Sequence, residues 1–354
     1  MTPASTPAAL PPEFVHRTAA LLGDEHDAFL AALAEPRVRG ARANPAKISA
    51  HELAARLPVD TDPVPWCDDG LILRAEAGLG GHPAHLTGLF YLQEPSAMAV
   101  VEALDPQPGW RVADLAAAPG GKTTHLAARV GPEGLVVAND VSRKRLRALH
   151  DNLDLWGGSN VMTTSHSISE LARLPGDGFD GVVLDAPCSG EALFRRDPAA
   201  IRHWSPGAVL GAAKRQRELL ADAAALVRPG GVLVYSTCSF AREENEEQVA
   251  HLLGTDPQWT LEDCARLLSV DGGVPLPPYA MGCTARLWPH RHPGEGQFVA
   301  RLRREPGDDG EGVVGVPPAA APGRRSGRAG GRGPARAGTR RGPSEPEVLA
   351  GWDR

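Results

Sequence analysis

The sequence predicts an α/β protein built on a doubly wound, mainly parallel sheet. Two observations carry that prediction. From Trp110 onward, short apolar, β-rich runs alternate with helical stretches, and the most informative polar residues fall just after those runs. Strand alternating with helix implies parallel strands joined by crossovers. Ligands of such sheets bind at the carboxyl ends of the strands, so the chemistry belongs in the loops that follow them.

Residues 1–90 read as a separate small α+β domain. Pro11 to Leu33 and Ser49 to Leu57 space their apolar side chains at helical period, and Pro63 to Leu73 reads as strand and turn. Residues 91–304 hold the alternating rhythm. Strands are expected at Trp110–Ala116, Leu135–Asn139, Phe179–Leu184 and Gly231–Thr237, and helices at Gly121–Arg129, Ser142–Trp156 and Lys214–Val227. Residues 305–354 are rich in glycine, proline and arginine and nearly devoid of large apolar side chains, so they are expected to be a disordered tail. Seven arginines and no acid lie between Gly323 and Gly342, which suits either a solvated low-complexity segment or an RNA-binding arm.

Composition narrows the class. With 43 acidic and 37 basic residues and a net charge of −6, the chain is no uniformly basic nucleic-acid binder, although local patches can still attract phosphate. No apolar run reaches 18 residues, so no membrane association is expected. Met1 to Leu30 carries no export signal, and a cytoplasmic location is expected. Five widely spaced cysteines without a Cys-x-x-Cys pair predict neither a disulfide framework nor a metal site. No heptad or apolar stripe suggests self-association, so a monomer is expected.

After the first strand comes Asp114-Leu-Ala-Ala-Ala-Pro-Gly-Gly-Lys-Thr123, which opens into a helix. Gly120 and Gly121 let backbone approach a ligand closely, and the start of the helix offers free N–H donors. A triphosphate loop would need glycine where Ala116 stands. Asp140 follows the second strand, twenty residues beyond Gly120, where an acid can accept from ribose hydroxyls. A dinucleotide and S-adenosylmethionine fit that pattern equally well.

The next two strands each run into a cysteine, in Asp185-Ala-Pro-Cys188-Ser-Gly190 and Ser236-Thr-Cys238-Ser239. Two thiols at the cofactor edge suit methylation at C5 of a pyrimidine. That carbon is a poor nucleophile until a thiolate adds to the neighbouring C6, and splitting the reaction through a covalent adduct makes each step easier. Asp185 could hydrogen-bond or protonate the ring at N3.

Together with Glu243-Glu-Asn-Glu246, Arg42-Ala-Asn-Pro-Ala-Lys-Ile-Ser49, Gly88-Leu-Phe-Tyr-Leu-Gln-Glu-Pro-Ser96 and Trp288-Pro-His-Arg-His-Pro-Gly-Glu-Gly-Gln-Phe298, these motifs resemble the Nop/Sun family of RNA cytosine-C5 methyltransferases. The resemblance covers roughly residues 25 to 304 and is strongest to the bacterial branch acting on 16S ribosomal RNA. It implies a Rossmann-like S-adenosylmethionine-dependent methyltransferase fold and an RNA substrate, most closely 16S rRNA or the small ribosomal subunit, rather than DNA. It further implies that Cys238 is the nucleophile and that Cys188 assists product release. Lys122 and Asp185 would lie at the reacting base. Ala116, Ala117, Ala118, Pro119, Gly120, Gly121, Lys122, Asp140 and Asp185 would contact S-adenosylmethionine, with Ser167 standing where the family carries an acid for the adenine amino group.

RNA contacts are expected from Arg195 and Arg196, from Arg37, Arg39, Arg42 and Lys47, and from Arg202, His203, Lys214, Arg215 and Arg217, with Phe194 and Trp204 as stacking or core residues. Three other readings remain open. One is a tRNA methyltransferase, and another is an RNA-binding ribosome assembly factor without turnover. The third is an amino-methylating enzyme, whose class carries Asp/Asn-Pro-Pro-aromatic where this chain has Asp185-Ala-Pro-Cys188.

Overall fold

Two sheets organise the protein in the computed structural model, which describes residues 10–75, 78–174, 176–274 and 281–307. Most of the tail expected over 305–354 lies outside the described residues. The first sheet is antiparallel and contains β1 (Arg39–Ala43), β2 (Thr61–Val64), β3 (Cys67–Leu73) and β4 (Phe90–Leu92), in the order β2-β3-β1-β4. The stretch from Pro11 to Leu33 forms two helices, Pro12–Leu22 and His26–Ala34, parted by a turn at Gly23–Glu25.

The second sheet holds the parallel strands β5 (Arg111–Asp114), β6 (Leu135–Asn139), β7 (Val161–Thr164), β8 (Phe179–Asp185) and β9 (Val227–Thr237), in the order β9-β8-β5-β6-β7. Beyond β9 it continues in antiparallel fashion. β13 (Gln297–Arg304) pairs with β9, and β10 (Trp259–Glu262), β11 (Asp271–Gly272) and β12 (Ala285–Leu287) complete that side. The parallel core therefore matches expectation, whereas the antiparallel extension was not foreseen. Among the described residues no α-helix separates β11, β12 and β13, so the strand–helix alternation that makes a parallel sheet readable is missing there.

The helix expected from Lys214 begins earlier, at Pro206, and runs to Ala225. Ser205 caps it by accepting from the Ala208 N–H, and a proline at the first position has no N–H to leave unpaired. The helix Pro95–Leu104 is capped by the Glu94 carboxylate and buries most of its length. It joins both sheets in one apolar cluster, packing Met98, Val101 and Leu104 among Val64 and Ile72 of the first sheet, Trp66 of the turn between β2 and β3, and Val112, Val183 and Val234 of the second sheet. The two N-terminal helices place Phe14, Phe29 and Leu33 against Phe194, Trp204, Phe240 and Trp288, in and around the loops after β8 and β9. Among the described residues, no helix is long and apolar enough to cross a membrane.

Candidate active site

The parallel strands β5, β6, β8 and β9 end at one edge, where their loops border a cavity of about 660 Å³. The loop after β5 forms one wall with Ala116, Ala117, Ala118, Pro119, Gly121 and Lys122. Gly120 does not line the cavity. Its φ of 113° makes the turn into the helix Gly121–Val130, and a Cβ there would come within 3.0 Å of Leu149 Cδ1. Asp114, beneath the loop, accepts from Thr123 Oγ1 at 2.7 Å. Burial raises its pKa to about 6, against the opposing pull of Thr123 and Lys122.

Asp140 follows β6 and fixes the wall by accepting from the Ala118 N–H at 3.2 Å and the Ser142 N–H at 2.9 Å, with Arg145 3.3 Å away. Val141 beside it is 73% exposed although apolar, and with Ile168 it lines the same cavity. Ser167 also lines the cavity, but its hydroxyl is engaged in a capping box with Glu170 at the start of the short helix Ile168–Leu171. An acceptor carboxylate beside an exposed valine, a buried isoleucine and loop backbone is the polar and apolar set that a nucleoside cofactor needs.

Asp185 is the centre of the deeper wall. Its Oδ2 accepts from Lys122 Nζ at 2.6 Å, and its Oδ1 accepts from Ser236 Oγ at 2.8 Å and Gln297 Nε2 at 3.1 Å. Burial alone would lower the Lys122 pKa. The charge and hydrogen bond of Asp185, with Asp114 and Cys238 adding to them, raise it instead, so the ammonium stays charged. Cys188 Sγ and Cys238 Sγ, from the loops after β8 and β9, lie 3.3 Å apart. The hydrogen bond with Cys238, followed by burial, pushes the Cys188 thiol well above its ordinary pKa. A neutral Cys188 can therefore donate to Cys238.

Buried polar groups hold the two cysteine loops. Glu244 accepts from the Ser189 N–H at 2.9 Å, from Ser239 Oγ at 2.7 Å and from Gln216 Nε2 at 2.9 Å, and it also takes the Ser189 hydroxyl. Burial raises its pKa, while these hydrogen bonds act in the other direction. Gln216 additionally donates to Pro187 O at 3.0 Å. Glu191 accepts from the Phe240 N–H at 2.8 Å, and Asn245 accepts from Thr237 Oγ1 at 2.6 Å. In the sequence Glu244 and Asn245 stand out only as parts of a motif, and Gln216 does not stand out at all. Their work links loops far apart in the chain, and no local spacing signals it.

Several expected RNA contacts are instead structural. Arg42 is fully buried, donating to Gln93 Oε1, Gly121 O and Thr124 Oγ1 beneath the Trp156 ring. Arg195 is 2% exposed in its side chain, with Glu295 3.5 Å away, and donates to Ala32 O. Lys47 donates to Thr87 O and Leu155 O but stays exposed. Phe194 and Trp204 belong to the core. Arg196 is exposed and lines the cavity.

Residues 101–303 match the family described as 16S rRNA methyltransferase RsmB/F, and residues 10–95 match the N-terminal domain of 16S rRNA methyltransferase RsmF. Ribosomal RNA small subunit methyltransferase F of Klebsiella pneumoniae is 39% identical over 320 residues, covering 85% of this chain and 63% of its own length. The protein of the same name from Pectobacterium atrosepticum is 37% identical, over 91% of this chain and 67% of its own. This chain thus spans about two thirds of the length of these relatives. A crystal structure of a methyltransferase homologue from Pyrococcus horikoshii superposes with a TM-score of 0.72 at 34% identity, covering 84% of this chain and 96% of that one. The sheet order, the cofactor-type loop and the paired cysteine loops lie within a match that covers more than half of the sequence, and the chain belongs to the 16S rRNA methyltransferase RsmB/F family.

Proposed function

We propose that the chain transfers a methyl group from S-adenosylmethionine to C5 of a cytosine in 16S rRNA. One observation carries this reading: two thiols 3.3 Å apart, at the ends of neighbouring strands, on the wall of a cavity whose other walls suit a nucleoside. Asp140 would accept from the ribose hydroxyls, Val141 and Ile168 would flank the adenine, and the stretch from Ala116 to Lys122 would follow the rest of the cofactor. S-adenosylmethionine, when bound, supplies an electrophilic methyl group.

The remaining steps belong to side chains of the protein. Cys238 gives up its thiol proton and its Sγ adds to C6 of the cytosine, the electron pair of the C5–C6 double bond shifts toward C5 and N3, and C5 thereby becomes able to take the methyl group. N3 takes up the proton that Cys238 released, relayed through solvent, and Asp185, held between Lys122, Ser236 and Gln297, accepts from the N3–H so formed. Before addition, two thiolates at 3.3 Å would repel, so Cys188 keeps its proton while Cys238 reacts. Once Cys238 has become a thioether, that opposition to ionising Cys188 disappears. Cys188 then releases its proton to solvent and as the thiolate takes the C5 proton; the C5–H electron pair re-forms the C5–C6 double bond and expels the Cys238 thiolate from C6, and N3 gives its proton back.

The test incubates the full chain with labelled S-adenosylmethionine and 16S rRNA, small ribosomal subunits or tRNA, and maps the product. Label is expected in 16S rRNA as 5-methylcytosine. Label confined to tRNA contradicts the proposed substrate, and none in any RNA favours an assembly factor without turnover.

A further inference from the structure

Asp185 is steadied by three elements, and one of its partners stands apart from the loops that carry the cysteines. β13 pairs Phe298 with Thr237 of β9, the last residue of that strand; Gln297 opens β13, and Cys238 directly follows β9. Gln297 is 6% exposed and lines the cavity. Its amide orientation is settled by chemistry: Asp185 Oδ1, 3.1 Å away, can only accept, so the NH₂ faces it and the oxygen points elsewhere. Among the described residues, that oxygen accepts no hydrogen bond, and it is not one of the polar atoms sealed away from solvent. It is therefore an unused acceptor, on a residue that lines the cavity together with Cys238 and Asp185.

A pyrimidine whose C6 meets Cys238 and whose N3 side meets Asp185 brings its position 4 toward the same wall. Cytosine carries an amino donor at position 4 and uracil a carbonyl acceptor. We propose that Gln297 reads the target base. Its side-chain oxygen accepts from the exocyclic amino group of cytosine, while its NH₂ holds Asp185 at the N3 side. Uracil would set two oxygens against each other there, so this single amide selects cytosine. The inference rests on the cytosine-C5 methylation reading and adds to it the group that enforces base choice. Neither the family match nor the cysteine pair identifies such a group, because the family match is to RNA methylation and the thiols would attack C6 of either pyrimidine.

The test uses two RNAs that differ only at the mapped target nucleotide, one with cytosine and one with 2-pyrimidinone, which lacks the amino group. Single-turnover methyl transfer from labelled S-adenosylmethionine is measured for the full chain, for Gln297→Met and for Gln297→Glu. Each enzyme's cytosine-to-pyrimidinone rate ratio is taken within that enzyme, so a partly folded variant does not distort it. Gln297→Met keeps the length but offers no oxygen, and its ratio is expected to fall roughly 10- to 100-fold below that of the unmodified chain. Gln297→Glu keeps an acceptor and is expected to keep the ratio within about threefold.

A ratio unchanged in Gln297→Met overturns the inference. Loss of the ratio in both variants also overturns it, because Gln297 would then act only by steadying Asp185. A third variant, Gln297→Ala, repeats the comparison should the methionine form fail to fold. Absence of C5 methylation on cytosine by the unmodified chain contradicts the underlying reading, a result distinct from equal ratios in active enzymes.

Discussion

Cys188 and Cys238, with sulfurs 3.3 Å apart, must divide their labour, because two thiolates at that separation repel and the Cys188 thiol is the one held neutral. Cys238→Ala is expected to lower methyl transfer by at least about 1,000-fold, since the covalent route is lost. Cys188→Ala is expected to accumulate a protein–RNA adduct, seen as a slowly migrating species in denaturing electrophoresis, and its absence would contradict the release role. Asp114 gives a prediction about stability. Its folded pKa of about 6 lies above the ordinary 3.8, so its contribution to stability is present at low pH and lost as pH rises through 6. The stability of Asp114→Asn relative to the unmodified chain should therefore rise by on the order of 3 kcal/mol between pH 4 and pH 7 in denaturant titrations. A difference that does not move with pH would contradict the burial of that carboxyl. Both cysteines and Asp185 were legible in the sequence because each ends a β-rich run. Gln297 was not, because its importance comes from the register of β13 on β9.

At the scale of elements, the loops after β8 and β9 are separate stretches of chain that Glu244 and Gln216 tie together from the helical side. The Glu244 carboxylate touches neither sulfur, so it acts by positioning. Glu244→Ala is expected to reduce kcat roughly 10- to 100-fold and leave the affinity for S-adenosylhomocysteine, the demethylated cofactor, within about threefold. Equal losses of affinity and kcat would mean that the whole edge of the sheet had moved. Element boundaries were readable where local signals coincide. Leu135–Asn139 is a strand as expected, and the turn through Gly120 opens a helix at Gly121. They were misread where a cap lay upstream of the apolar pattern, as at Ser205-Pro206, or where strands pair across long connections, as β13 does.

Across the whole molecule, the N-terminal helices are part of the scaffold of the cysteine loops. Phe29 meets Phe240 edge-on at 5.1 Å and Trp288 at 5.7 Å between ring centroids, and Phe14 meets Phe194 at 4.9 Å. Phe29→Ala is expected to cost about 3–5 kcal/mol of stability, with a correspondingly lower Tm and activity falling along with the folded fraction. Stability within about 1 kcal/mol of the unmodified chain would show that these helices merely rest on the surface. The overall acidic charge was readable, but which basic residues remain free for RNA was not. Burial reassigns Arg42 and Arg195 to internal bridges, while Arg196 stays on the cavity wall. Tertiary packing decides that, and composition carries no trace of it.

The central claim is that Cys238 bonds to the target cytosine. It is tested most directly with an RNA carrying 5-fluorocytosine at the target position, because a C5–F bond cannot lose a proton and the adduct persists after methyl transfer. After incubation with S-adenosylmethionine, proteolysis and mass spectrometry should find the nucleotide on the peptide that contains Cys238. Attachment to the Cys188 peptide, or no attachment despite methylation of the unmodified RNA, would contradict the account.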